Sequence, residues 1–460
     1  MLKFGARHLL IFLFIGGASL AAQAQNLDTH PMRGFMPNMD QLSSPVDNID
    51  VSGGKLNLQI PLGSLPRGQG GIGFDLNLVY DSRLFDMEIH KDLAYNPVSG
   101  QQVPYEYAYL KSITTSGSWN YGRPGYRIDT ELKQNVSEWD TCPDMSHANH
   151  IRYRVVLPDG SQHILYLKGY EAKDPEGEGY YGLGMGGGSN LCAQHFGYPA
   201  SYTGWLTYYT NDGSHLKLEV YADGVNTQST LFLPDGKVIT GATAYDANGN
   251  YITTTANGYG NPAGQQIQIL YNTATANING QLWKRDQVIA PGPNGDVTYT
   301  IDWQYLQIGN DNRTYVIGVH PWQGALSMPL DFGFWVVKYI QLPLAGPVAL
   351  GSAPLVYNSY EFGYWDNDPT QPEGAGYGQL DYMRMPSGAE YHYLYEGETI
   401  TSPYVETAMI AHGLNITRKT ISYTEGSPLV WEFDRLGLTV NVTNPDGGKT
   451  KHTYLNRNTG

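Results

Sequence analysis

Cys142 and Cys192 are the only cysteines among 460 residues, and histidines stand near both. His147 and His150 follow the first, and His195 follows the second at C-x-x-H spacing. Two thiolates and two imidazoles can hold zinc tetrahedrally when the thiols are reduced. The spacing matches no finger pattern, however, and in an oxidising compartment two cysteines pair most simply as one disulfide. That bond would close a loop of about 50 residues and stabilise it by roughly 3–4 kcal/mol in the chain-entropy model. The disulfide is therefore favoured over the metal set and over two unpaired thiols, and no cofactor is expected.

Other constellations carry weaker chemistry. Asp246, Asn248 and Asn250 have the i, i+2, i+4 oxygen spacing of a calcium loop, but Tyr251 and Ala256 stand where an EF-hand needs Gly and Glu. An ordinary turn is the better reading, as it is for Asp366 and Asp368 beside Pro369. Glycoside hydrolysis needs two carboxylates ~5–9 Å apart, a pairing that leaves no sequence trace in a β fold. Glu171, Glu176, Glu178, Glu361 and Glu390 are candidates, though solvated surface charge is the simpler account. Trp119, Trp205, Trp303 and Trp365 could stack on sugar rings, or pack in a core or on a sheet face. Neither G-x-S-x-G nor H-E-x-x-H occurs, and the run Gly182–Gly188 has no strand before it or helix after it. The sequons at Asn135, Asn415 and Asn441 carry no argument.

The elements that would position such groups are announced by turns. Pro158-Asp159-Gly160, Pro234-Asp235-Gly236 and Pro445-Asp446-Gly447 each sit between strand-like runs. Proline presets φ at the second turn position, Asp suits the third, and Gly accepts the left-handed conformation that closes the turn. Each copy predicts a hairpin tip. Looser relatives are Asn211-Asp212-Gly213, Asp246–Asn250 and Pro386-Ser387-Gly388. Their uneven spacing makes a degenerate repeat, not a strict solenoid.

Alternation with period two dominates between the turns. Leu56, Leu58, Ile60 and Leu62 alternate with polar residues, as do Ile72, Phe74, Leu76, Leu78 and Tyr80 after a Gly-rich connection. The series Tyr299-Ile301-Trp303-Tyr305, Tyr360-Phe362-Tyr364 and Tyr391-Tyr393-Tyr395 each place rings on one strand face. Only Val405–His412 suggests a helix, and a short one. With 36 Tyr against 12 Phe, many half-wet sheet faces are expected. The predicted fold is all-β: repeated antiparallel hairpins in a large twisted sheet or partial β-shell, with an irregular N-terminal region.

Residues 1–24 read as a signal peptide: Lys3 and Arg7, an apolar stretch, then Ala22-Gln23-Ala24. Export to periplasm, cell surface or medium is expected, with no membrane span in what remains. Removing Lys3 and Arg7 takes the net charge from −15 to −17. Such acidity without a Lys/Arg cluster argues against nucleic acid. A Gly-rich stretch and both cysteines precede Tyr202, which divides the mature chain into 25–201, an N-terminal β region, and 202–460, a repeat sheet.

Val51–Leu62 and Gly71–Ser82 are similar to the opening strands of RHS/YD-repeat proteins, a family of exported bacterial chains. Tyr360–Tyr395 and Arg435–Tyr454 resemble its repeats, with His452 where Tyr is usual. The resemblance implies repeats winding into a β-shell, often around a C-terminal toxin or effector. Asp174-Pro175-Glu176-Gly177 resembles the core of the family's autocleavage motif, but it sits mid-chain and lacks the following Leu, and no toxin domain is evident. The expectation is a non-enzymatic exported β-scaffold, the leading portion of such a protein, for shell formation, surface display or effector delivery. Its partners would be a downstream shell or effector polypeptide, or a cell-surface glycan. The alternative is a carbohydrate-binding protein or glycoside hydrolase.

Overall fold

The computed structural model describes residues 41–454, apart from 45, 67–71, 97, 113–116, 123–125, 130–151, 158–160, 168–203, 211, 223–226, 321–323, 344–345, 347, 366–377 and 402–407. Residues 1–24, expected to be a signal peptide, and Cys142, Cys192, Pro158, Asp159, Gly160, Glu171, Glu176, Glu178, Asp366 and Asp368 lie outside the described residues.

Among the described residues the regular elements are β-strands, apart from one turn of 3-10 helix at Val356–Asn358. They form two antiparallel systems. The first is a five-stranded sheet in the order Gln41–Ser43, Asp47–Asp50, Leu56–Leu65, Phe74–Asp81 and Trp119–Tyr121. The second is a meander from Arg127–Asp129 to Lys449–Thr453, in which each strand pairs with the next in sequence. A hairpin of Phe85–Tyr95 and Gln102–Ser112 joins it where Tyr107 faces Gly318. The second system is one long antiparallel ribbon of strands, and no described register links its last strand to its first.

Alternation decides which face is inside. Leu56, Leu58, Ile60, Leu62, Leu76 and Leu78 are fully buried. They share one core with Ile301, Val336, Phe362, Tyr393 and Val442 of the meander. The five-stranded sheet thus lies against the inner face of the ribbon's later strands. The earlier strands keep a second core of Tyr153, Leu165, Leu206, Leu218, Leu231 and Ile239, and Ile72 packs against both. Gln162–Leu167 and Gly204–Thr210, on either side of position 202, are paired neighbours in that second core.

One sequence expectation changes. Val405–His412 makes no helix where it is described: Ala408–Ser422 is a strand paired along Glu390–Thr401. A helix that short is marginal alone, and the continuous ladder outweighs it. Half-wet tyrosines occur, as at Tyr209, Tyr245 and Tyr251, 39%, 38% and 37% exposed, but Tyr80 and Tyr393 are buried at 2% and 1%. The Tyr80 hydroxyl accepts from Leu380 N at 2.9 Å, and that of Tyr393 donates to Asp47 at 2.8 Å. A buried phenol is tolerated where its oxygen has a partner.

Five of the described turns share one geometry. In Leu233–Lys237, Gly236 N donates to Leu233 O at 3.1 Å and Leu233 N to Lys237 O at 2.9 Å. Asn261–Gln265, Met385–Ala389 and Asn444–Gly448 repeat both bonds, each with proline in second position. Asp246–Asn250 does so with Ala247 there. This is a type I turn closed by a left-handed residue, the usual three-residue hairpin loop. Gly236, Gly388 and Gly447 have φ of 83°, 84° and 83°.

Gly447 has no neighbour within 4 Å of where a Cβ would stand, so only its φ opposes substitution. Gly447→Ala is expected to cost ~1–2 kcal/mol, the left-handed penalty of an L-residue. Gly447→Asn should cost less. Urea unfolding of the two variants checks the order.

Candidate functional site

The seam between the five-stranded sheet and the ribbon holds a cluster of fully buried polar groups. Tyr393, Lys419 and Trp431 stand opposite one another on three adjacent strands, so their side chains share the inner face. Asp47 meets them from the first sheet. Its carboxylate accepts from Lys419 Nζ at 2.8 and 2.7 Å, from the Tyr393 hydroxyl at 2.8 Å and from Ser44 Oγ. The Asp47 and Lys419 side chains are 0% and 2% exposed. Lys419 Nζ also lies 5.5 and 5.3 Å from the ring centroids of Tyr391 and Trp431. Burial, then the charge of Asp47, pushes the Tyr393 phenol well above its usual pKa. Satisfying both charges on every side is what makes such burial tolerable.

A second contact of the seam is the turn Val51–Lys55. Asp50 Oδ1 shapes it by accepting from Ser52 N at 2.9 Å and Gly53 N at 3.1 Å. Gly54, at φ +70°, lies so close to Asn415 that a Cβ would sit 2.8 Å from the Asn415 Cβ. In return Ile416 N donates to Gly54 O at 2.8 Å, and Arg83 donates to Asn415 Oδ1 at 3.0 Å and to Gly53 O. Farther along, Trp119 Nε1 donates to Tyr364 Oη at 2.8 Å, and Tyr364 Oη donates to Val337 O at 2.6 Å. Tyr121 Oη donates to Asp286 at 2.9 Å.

The residues singled out for chemistry scatter. Trp119 and Trp303 are core residues, 1% and 3% exposed. Trp365 is partly buried and donates to Tyr393 O at 3.0 Å. Trp205 alone of the four projects into solvent, 55% exposed. Glu361 pairs with Lys338 at 3.3 Å and with Arg384. Glu390 accepts from the Tyr382 hydroxyl at 3.1 Å. Asp246 turns its oxygens on its own loop, accepting from Asn248 N and Asn250 N at 2.8 and 2.9 Å and from Asn250 Nδ2 at 3.0 Å. Those bonds, the Asn250 side chain first, hold its carboxyl below the usual range. Among the described residues no group of three or more His, Cys, Asp or Glu could hold a metal, and no helix is long and apolar enough to cross a membrane.

One relay was not legible from sequence. His163 Nδ1 lies 2.7 Å from Asp212 Oδ2, and Nε2 lies 3.0 Å from Ser161 Oγ. The carboxylate can only accept, so Nδ1 carries the proton toward it. The connectivity is that of a hydrolytic triad. Ser161 and His163 are 1% and 3% exposed, which closes the hydroxyl to substrate. The relay instead ties the strand Gln162–Leu167 to the turn before Lys217–Ala222. Burial raises the Asp212 pKa, but hydrogen bonds from His163 and Ser214 outweigh it and hold the carboxyl below its usual range.

Lys419, Asp47 and His163 could have been noticed as polar residues in the inward phase of alternating strands. Lys419 shares phase with the buried Ile421, and His163 with the buried Leu165.

No protein-family model matches this chain, and no curated protein matches it. Among solved structures it is similar to the N-terminal domain of the effector protein SpvB from Salmonella typhimurium strain LT2. Identity is 12%, the match covers 79% of this chain and 98% of that one, and the TM-score is 0.15. A score that low carries no argument about fold or function.

Removing one member of a buried ion pair strands the other. Lys419→Met is expected to destabilise by about 3–5 kcal/mol, and adding Asp47→Asn should recover part of the loss, both read by urea unfolding. Asp212, with its folded pKa lowered, stabilises the fold above the unfolded value of 3.8, and this is lost as pH falls through the folded value. Asp212→Asn should therefore flatten the fall in stability below about pH 4, measured as urea midpoints across pH.

Proposed function

We propose that this chain is a non-enzymatic, exported β-scaffold for shell formation, surface display or delivery of a partner polypeptide, as its resemblance to RHS/YD-repeat proteins suggests. The observation that carries the reading is the use of the inner face. Hairpins wound in series are covered from within by the chain's own five-stranded sheet, through the Asp47–Lys419 pair and the Val51–Lys55 turn. The described carboxylates considered for glycoside cleavage support a structural role. Glu361 lies between two cations, and an acid needed in its protonated form is poorly served by that. Export rests on residues 1–24 alone.

The test is co-expression of the tagged full chain with the polypeptide encoded by the neighbouring reading frame. Stoichiometric co-purification from the exported fraction is the expected result, and Gly54→Ala, which crowds the seam, should weaken it. Hydrolysis of a polysaccharide by the purified chain, abolished by Glu361→Gln or Glu390→Gln, would overturn the reading.

A further inference from the structure

The outward face of the six strands from Gly204–Thr210 to Tyr251–Thr255 carries rows of aromatic and threonine side chains. Inward, these strands bury Leu206, Leu218, Val220, Leu231, Ile239 and Ile252. Outward, the registers stack the side chains into rows. One row runs Tyr209, Lys217, Phe232, Val238, Tyr245, Tyr251. The next runs Thr207, Glu219, Thr230, Thr240, Thr243, Thr253. Trp205 opposes Tyr221 on the far side of the threonines.

The aromatic borders are open to solvent. Trp205 is 55% exposed, and Tyr209, Tyr245 and Tyr251 are 39%, 38% and 37% exposed. The rings pair across strands, Trp205 with Tyr221 at 5.3 Å between centroids and Tyr245 with Tyr251 at 6.0 Å. Thr207 and Glu219 separate Trp205 and Tyr221 from the first row, and beyond them the strip continues as hydroxyls beside that row, with Thr230 and Thr240 at 3.3 Å and Thr243 and Thr253 at 2.9 Å. Strand propensity accounts for the threonines by itself. It does not account for a solvent-facing tryptophan braced by a tyrosine, because an isolated outer face is normally charged.

Charge selects the ligand class. In a chain of net charge −15, the two ionised groups within these rows neutralise each other: Lys217 pairs with Glu219 at 2.6 Å, its ammonium 4.6 Å from the Phe232 centroid. Nothing there attracts phosphate, sulfate or uronate, and the surrounding acidity repels them. The complementary partner is uncharged, with apolar C–H faces to stack on rings and many hydroxyls to exchange hydrogen bonds with threonines. We propose that this face binds a neutral polysaccharide chain, lying across the strands over about 24 Å, five gaps of ~4.8 Å. The site is separate from the seam and does not rest on the scaffold reading.

The test uses the full chain in affinity electrophoresis through gels containing β-glucan, xylan, galactomannan or α-mannan, with heparin and a protein-only gel as controls. At least one neutral polymer should retard the protein. Trp205→Ala should weaken that retardation about tenfold, the usual size for truncating one aromatic anchor, and Trp205→Phe should largely restore it. Tyr245→Ala with Tyr251→Ala should also weaken it, whereas Tyr357→Ala, in the 3-10 turn outside these strands and 67% exposed, should not. Unchanged urea midpoints would separate these losses from misfolding. The proposal fails if no neutral polymer retards the chain, if heparin alone does, or if retardation survives Trp205→Ala. A protein partner lost on Trp205→Ala without any polysaccharide binding would reassign the face and overturn the proposal equally.

Discussion

A ribbon of hairpins in series can hide only one of its faces, and that face must be covered by something. Here the cover is the chain's own N-terminal sheet, and every other feature of the later strands follows from its presence. Hairpin pairing is local and cheap in loop-closure entropy. The cover is not: Asp47 meets Lys419 across 372 positions, and Tyr393 across 346. The leading strands are synthesised first, and their apolar residues must wait for partners that emerge last. The architecture combines local hairpin contacts with one long-range closure.

That docking has a built-in check. A sheet slipped by one residue turns every side chain to the opposite face. Slipping Ala408–Ser422 would send Lys419 outward and leave the Asp47 carboxylate buried without its counter-ion. The apolar residues alone would resist such a slip less sharply, because Ile, Tyr and Trp tolerate each other's places. Whatever the pair's net contribution, it penalises the wrong register more than it rewards the right one.

The fold was largely legible because the two signals in the sequence are local. Period-two alternation marked the strands Leu56–Leu65 and Phe74–Asp81, and Pro-x-Gly marked the tips at Gly236, Gly388 and Gly447. The Val405–His412 reading failed for a physical reason: helix spacing over eight residues is weak evidence against a ladder contributed by strands elsewhere. The site was much less legible. Asp47 and Lys419 become partners only through topology, so neither position announces the other. Trp119, Trp205 and Trp303 are one residue type in three environments, and only register separates the exposed one from the two in the core. His163, Asp212 and Ser161 meet because the strand Gln162–Leu167 pairs with Gly204–Thr210, the strand before Asp212, which spacing along the chain does not encode.

The acidity of the chain has a conformational origin in its turns as much as a functional one. Asp212, Asp235, Asp246 and Asp446 each accept from a backbone N–H two residues on, at Ser214, Lys237, Asn248 and Gly448. This Asx geometry makes Asp a turn former even where its charge does nothing else. On the strands the rule differs. Arg285, Asp302, Tyr339, Glu361, Arg384 and Glu390 stand opposite one another on successive strands. In that row Arg285 grips Asp302 at 2.6 and 2.7 Å, and Arg384 grips Glu361. In that row acid is matched by a cation on the adjacent strand, because like charges there would oppose pairing. A repeat that builds its turns from Asp while balancing its strands grows more acidic with each hairpin added, and no ligand is needed to explain the surplus.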